Sequence, residues 1–168
     1  LEANLEIIPV LNKIDLPASD PIKVKGQISD LIGLDTTNIP NVSGKTGEGV
    51  RELLKHLIKT IPAPQGESNN SLKAILIDAW YDSYLGVMVL VRVFDGVLKK
   101  GMKVKLLRSK KEYQIEQVGV LSPKPIAVDS LSSGEVGFIT AAIKNVSEAW
   151  VGDTITNLKN PTLTPLAG

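Results

Sequence analysis

Two folds of different class are predicted to follow one another along the 168 residues: a piece of α/β structure over residues 1–64, and an all-β antiparallel barrel over residues 72–168. Three observations carry this reading. Strand-like and helix-like periods alternate up to residue 61, a polar stretch with two prolines and a glycine interrupts them at 62–71, and short β-branched runs then follow with no helical stripe between them. A hydrophobic share of 43% against 22% charged residues, at a formal net charge of +1, is the balance of a chain that can bury a core.

The elements follow in order. The opening Leu-Glu-Ala-Asn-Leu-Glu lacks an initiator Met and reads like the end of a helix already under way, so the chain is expected to be a fragment. Residues 6–12 (EIIPVLN) are a short Ile- and Val-bearing run that ends in polar NKID, the pattern of a buried strand entering a loop. Asp20-Pro21 offers an N-cap followed by proline at the first helical position, and Gly33 supplies a stop, which predicts a helix over 21–32. Residues 39–43 (IPNVS) form a second short strand, followed by the loop GKTGEG. Val50, Leu53, Leu54, Leu57, Ile58 and Ile61 recur at helical spacing and place a second helix after that loop, with one apolar stripe. Strand, helix, strand, helix at this spacing reads as the end of a parallel sheet, where ligands bind on loops at the carboxyl ends of strands. Both NKID and SGK fall on such loops.

Residues 65–71 read as a linker. Beyond them, KAILIDAWY, GVMVLVRVF, KVKLL, YQIEQVGVL, EVGFITAAI and DTITNL are the strands of the predicted barrel. Asp95-Gly96 between two of these runs predicts a hairpin turn, since that dipeptide accepts positive φ.

Composition removes many chemistries. The chain has no cysteine, so disulfides, thiolate metal sites, a Cys nucleophile and CxxC redox chemistry are excluded. Its single histidine, His56, excludes multi-His metal sites and is the only residue on which a Ser-His-Asp triad could rest; it lies off the apolar stripe and is expected at the surface. The longest apolar run, Val87 to Val91, is far short of the ~20 residues of a spanning helix.

What chemistry remains lies on two loops. The Asp15 carboxylate can accept parallel hydrogen bonds from the N1–H and exocyclic amino group of guanine, an arrangement adenine cannot satisfy. Asn12 can bond the base edge and neighbouring loops, and the aliphatic stem of Lys13 can lie over the ring. In Ser43-Gly44-Lys45, backbone N–H groups could reach the guanine carbonyl, with the Lys45 stem covering the other face and glycine allowing close approach. A polar turn after a strand, and a glycine turn leading into a helix, are the plain alternatives for these two segments. Gly44-Lys45-Thr46 imitates the end of a phosphate loop, but Ile39 stands where that motif needs glycine. No other phosphate loop and no DxxG segment precedes NKID, so no catalytic residue and no metal ligand is expected in this chain.

With NKID, a strand and SGK, then an IPxP linker and DAWYDSYLGVMVLVRV opening the β part, the chain resembles the translational GTPases, and among them the LepA (elongation factor 4) family. The resemblance rests on Asp78, Trp80, Asp82, Tyr84, Leu85, Gly86 and Val87, on Lys99 to Val104, and on GEVGFITAAIK and VGDTIT. It covers essentially the whole chain. It implies that residues 1–64 are the C-terminal part of a GTP-binding domain of the P-loop GTPase fold and 72–168 the second, barrel domain of a translation factor. Asn12, Lys13, Asp15, Ser43, Gly44 and Lys45 would then bind guanine. The family usually has alanine where Gly44 stands.

The implied parent is a monomeric, ribosome-dependent GTPase that promotes back-translocation of tRNAs and binds GTP or GDP with Mg²⁺. The fragment is expected to be inactive alone, since catalytic parts and tRNA contacts would lie outside it. The implied location is cytoplasmic, at the inner membrane of a bacterium, or in an organellar matrix. Within the class, TypA and elongation factor G share the architecture but match the Trp-Tyr-Leu-Gly segment less well. A stand-alone RNA-binding or scaffold module with vestigial loops is the rival from outside the class.

Lys99, Lys100, Lys103, Lys105, Arg108, Lys110 and Lys111 place seven cations in thirteen residues without an acid. Such a cluster can neutralise phosphates of small-subunit ribosomal RNA, or serve as a solvated hairpin that deters edge pairing. Asp78 and Asp82 are expected to stabilise turns or face a partner, Trp80, Tyr81 and Tyr84 to fill a barrel core or domain interface rather than stack on bases, and Asp153 to sit in a turn.

Overall fold

A computed structural model describes residues 6–167; the helix end expected over the first residues lies outside them. The chain divides into two compact units between Ala63 and Pro64.

The first unit carries two helices, α1 (Pro21–Ile32) and α2 (Val50–Thr60). The Asp20 carboxylate accepts from Lys23 N at 3.0 Å, Pro21 opens the helix, and Gly33 at φ 72° closes it, its N–H donating to Ser29 O. The two predicted strands shrink to a single parallel bridge, Leu11 with Asn41, held by Leu11 N to Pro40 O (3.0 Å) and Val42 N to Leu11 O (2.7 Å). Each segment has one neighbour among the described residues, and a parallel pair with no flanking strand does not propagate. The stripe of α2 is only partly covered: Val50, Leu53 and Leu57 are half-buried, whereas Ile58 is 82% exposed. His56, expected at the surface, is half-buried and lines an open pocket with residues 6–9, Leu34, Asn38 and Pro40.

The second unit is antiparallel throughout. Its strands are β1 (Lys73–Asp82), β2 (Gly86–Asp95), β3 (Val97–Lys99), β4 (Lys103–Leu106), β5 (Glu112–Gln114), β6 (Gln117–Ser122), β7 (Lys124–Ala127), β8 (Ser130–Ser132), β9 (Val136–Thr140) and β10 (Thr154–Asn157). Eight form one sheet in the order β5-β4-β10-β1-β2-β9-β6-β7, and β3 pairs β8 in a second. Alternation explains the core. Val87, Val89, Val91 and Val93 of β2 point inward with Ala74, Leu76, Val104, Ile139 and Ile155, joined by Leu98 and Leu131 from the smaller sheet. A bulge at Ile77 shifts the β1–β2 register between Leu76↔Val91 and Asp78↔Leu90.

The outer face is also closed at one place. Leu90, Phe138 and Gly119 lie abreast on β2, β9 and β6, and Phe138 is fully buried with its ring over Gly119, where any side chain would collide with it. The sheet is not an uninterrupted ring: β5 and β7 each have one partner. On β7, Val128 N donates to Val118 O just beyond the strand, so by alternation Lys124 and Ile126 face β6 and the nitrogen of Pro125 faces outward.

Asp95-Gly96 does turn the chain, with Gly96 at φ 77°, but it is not a hairpin. It carries β2 into β3, which belongs to the other sheet. The Asp95 carboxylate instead accepts from Glu67 N (2.9 Å) and Asn70 Nδ2 (3.2 Å), and Gly96 N donates to Glu67 O (2.9 Å). Positive φ suits a sheet-to-sheet corner as well as a hairpin, so the dipeptide alone does not separate them. Residues 67–70 are thereby tied to the second unit. Among the described residues no helix is long and apolar enough to cross a membrane.

Candidate functional site

In the first unit the parallel bridge delivers NKID and SGK to the same end of the paired segments. They are joined by side chains. The Asn12 Oδ1 accepts from Lys13 N (2.7 Å) and Gly44 N (3.1 Å), and the Ser43 hydroxyl donates to Asp15 Oδ1 (2.7 Å) while accepting from Thr46 N (3.1 Å). Ser43 is completely buried, so its two bonds are fixed features of the loop. Asp15 is half-buried, and Lys13 and Lys45 are exposed with their stems free. Lys13 adopts φ 66°, a left-handed conformation that an L side chain holds only when its surroundings impose it. Gly44 is different: its φ is not positive, and an added Cβ would lie 3.8 Å from Asn12 Oδ1, in ordinary contact. A pocket beside the first loop is lined by Leu11, Asn12, Lys13, Ile14, Asp20 and Val24 among others.

This arrangement presents one carboxylate, braced by a hydroxyl, beside a loop amide and two lysine stems. An oxygen engaged by the serine keeps a second lone pair, so both Asp15 oxygens remain able to accept from a planar donor pair. Among the described residues no group of three His, Asp or Glu is placed to hold a metal ion.

In the second unit the seven clustered cations are not equivalent. Lys99 and Lys100 stand exposed at the end of β3, and Lys103 and Lys105 point outward from β4 because Val104 and Leu106 point in. Lys105 faces Glu112 across the ladder. Lys111 Nζ lies 2.7 Å from Glu148 Oε2, and the Arg108 guanidinium sits over the Trp150 ring, 4.5 Å from its centroid. Lys110, at φ 59°, is exposed in the turn.

The bonds that order this corner were not visible in the sequence. Asp153, expected in a turn, is 2% exposed and accepts from Arg108 N (2.8 Å) and Ser109 N (3.2 Å). Glu148 accepts from Tyr113 OH (3.0 Å) as well as from Lys111, and these two bonds hold its carboxyl below the usual range. Burial, reinforced by Glu148, pushes Tyr113 up to about 12. These partners are more than thirty residues apart in the chain, beyond any local pattern.

At the β1–β2 tip, Asp82 does stabilise the turn, accepting from Tyr84 N (2.8 Å) and Leu85 N (2.9 Å), and both bonds lower its pKa. Tyr84 is 95% exposed and Tyr81 70%, so neither fills a core; only Trp80 is half-buried. Tyr84 sits in the hairpin turn, and Tyr81 pairs with Val87 one row from its end.

Residues 86–156 match the family model Elongation factor Tu domain 2. The second unit has that fold. The domain 2 match runs from the start of β2 into β10 and thus includes the whole basic cluster. Two solved structures of translation elongation factor SelB from Methanococcus maripaludis are similar over more of the chain. The complex with the GTP analogue GppNHp aligns at a TM-score of 0.72 with 22% identity over 92% of this chain, and the apo form at 0.73 with 21% identity over 95%. Each alignment extends beyond domain 2 into the first unit. This chain spans 35% of the length of each SelB chain.

Proposed function

We propose that the chain is the guanine-reading and barrel portion of a ribosome-dependent translational GTPase of the LepA kind, with residues 1–64 the end of its GTP-binding domain, 72–168 its domain 2, and 65–71 a connection whose residues 67–70 are fastened to the barrel. The observation that carries the reading is the cross-loop knot, Ser43 Oγ to Asp15 Oδ1 at 2.7 Å and Gly44 N to Asn12 Oδ1 at 3.1 Å, in a chain whose second unit has the domain 2 fold. In this reading Asp15 accepts from the guanine N1–H and amino group, the Gly44 N–H approaches its carbonyl oxygen, and Lys13 and Lys45 cover the ring faces. Adenine presents an acceptor where Asp15 needs a donor, so it is rejected by an unpaired charge rather than by shape.

Phosphates and Mg²⁺ would be held by parts of the protein outside this chain, so no hydrolytic step is assigned to its residues. The bound GTP or GDP supplies the switch between factor states, and this chain supplies the choice of base. The barrel docks on small-subunit ribosomal RNA through Lys99, Lys100, Lys103 and Lys105, with Arg108, Lys110 and Lys111 beside them. Back-translocation of tRNA and a cytoplasmic place of work belong to the same reading, carried by the Asp78-to-Val87 stretch that resembles the LepA family.

The test is a paired titration with GDP and ADP. The chain is expected to prefer GDP, and Asp15→Asn to relax that preference by ~1–3 kcal/mol, the usual worth of a bidentate base contact. Equal binding of the two nucleotides by the unaltered chain overturns the guanine reading and, if ribosomal binding persists, leaves an RNA-binding module.

A further inference from the structure

Trp150 and Arg108 form a flat cation–aromatic surface that nothing in the fold requires to be exposed. Trp150 is 50% exposed and its neighbour Val151 61%, although Ala149 beside them is buried. Both halves of the pair hang from one frame. Asp153 takes the Arg108 and Ser109 N–H groups with its carboxylate, and its own N–H donates to Trp150 O (3.0 Å). Leu107 N to Thr154 O (2.9 Å) and Gly152 N to Leu76 O (2.8 Å) fasten that frame to the sheet. A guanidinium can cover only one face of an indole, and half of this residue's surface stays open to solvent.

The charges around the pair are mostly positive. Arg108 is itself one of the pair, Lys110 is exposed in the same turn, and Lys111 follows it. The nearby carboxylates are already engaged: Glu148 by Lys111 and Tyr113, Asp153 by two backbone N–H groups inside the frame.

We propose that the Trp150–Arg108 platform is a stacking site for an unpaired nucleobase, with Lys110 taking an adjoining phosphate. The proposal rests on the RNA-docking reading above and makes it more specific. Lysines on β3 and β4 hold any phosphate backbone, whereas this corner selects single-stranded or looped RNA, because bases inside a duplex offer no free face to an indole. The frame favours this use, since the backbone on both sides of the pair is already fixed before a base arrives.

The chain has two tryptophans, so a Trp80→Phe protein reports on Trp150 alone. Short oligoadenylate is titrated against it at low salt, beside the duplex of oligoadenylate with oligouridylate. Indole emission is expected to fall with the single strand and to hold with the duplex, while a Trp150→Phe protein binds the strand without a change in its Trp80 emission. Trp150→Ala should weaken oligoadenylate binding about 5- to 150-fold, the range for loss of one base–aromatic stack, and Trp150→Phe far less. Should Trp150→Ala lose its fold by circular dichroism, the emission test decides alone.

Unchanged Trp150 emission on saturation with the single strand, with binding still abolished when Lys99, Lys100, Lys103 and Lys105 become Ala, overturns the stacking site and leaves RNA docking standing. Absence of binding to either RNA at low salt overturns both. Equal quenching by polyglutamate overturns the proposal in favour of an acidic protein partner.

Discussion

Two glycines show how much a single hydrogen can matter. At Gly44 a methyl group would meet only Asn12, at 3.8 Å and 3.9 Å, with no backbone strain. Gly44→Ala is therefore expected to be accepted and to add about 0.4–1 kcal/mol of stability by restricting the unfolded chain. At Gly119 the same methyl would drive into the Phe138 ring and the Ile126 carbonyl, and Gly119→Ala should cost roughly 1–3 kcal/mol as an overpacked site. Urea unfolding of the two variants, followed by a probe in each unit, measures both. The letter G was equally plain at both positions in the sequence. The difference lies in Phe138, nineteen residues downstream of Gly119, whose place over it follows from the β6–β9 register and from nothing local. Likewise Asn12, Asp15 and Ser43 stood out in the sequence as candidate recognition residues, because each is a polar group where a predicted strand ends. Their mutual bonds did not, since those depend on the parallel bridge between Leu11 and Asn41.

Among elements, the helices were the most legible. Caps at Asp20 and Gly33 and the period from Val50 onward are local signals, and both helices begin where those signals put them. The β runs were recognisable, but their order, with β10 between β4 and β1, is a long-range property that no run contains. The same limit hid the packing of β5 beside the 3₁₀ turn Val146–Glu148, which joins Tyr113 and Lys111 to Glu148.

That junction has two pH limits of opposite sign. Glu148 has a lowered pKa in the fold, so its contribution is present above its unfolded value and is lost as pH falls through the folded one. Tyr113 is raised from 10.0 to about 12, so its contribution is complete below 10.0 and disappears as pH rises toward about 12. In an ultraviolet phenolate titration, one of the three tyrosines should ionise late. Glu148→Gln should bring it down only part of the way, because burial is the larger cause and stays.

For the whole molecule, the near-neutral total of +1 hides a basic stretch confined to β3–β5. On the RNA-docking proposal, binding to small ribosomal subunits should fall steeply with salt, and replacing Lys99, Lys100, Lys103 and Lys105 by Ala should reduce the log–log slope by up to about 0.7–0.9 for each phosphate that is no longer neutralised. Sedimentation of bound protein across a salt series reads this directly, and a slope that does not change removes these four from the interface. The units should also differ in local stability. The second has a core of fully buried valines, leucines and isoleucines, while the first leaves Ile22, Leu31 and Ile58 more than 80% exposed. Amide hydrogens of α1 and α2 are expected to exchange well before those of β1, β2 and β9.

The outward nitrogen of Pro125 bears on how the protein behaves at high concentration. An open sheet edge is a template on which another chain can add a strand, and repetition of that step builds fibres. On β7 the second position of the strand, which ought to offer a hydrogen to such a newcomer, has none to give, and the exposed lysine before it adds a charge to the edge. At the β7 edge the unclosed sheet is thus a poorer template for a second copy by one missing donor, while the β5 edge, three residues long, offers little length to pair.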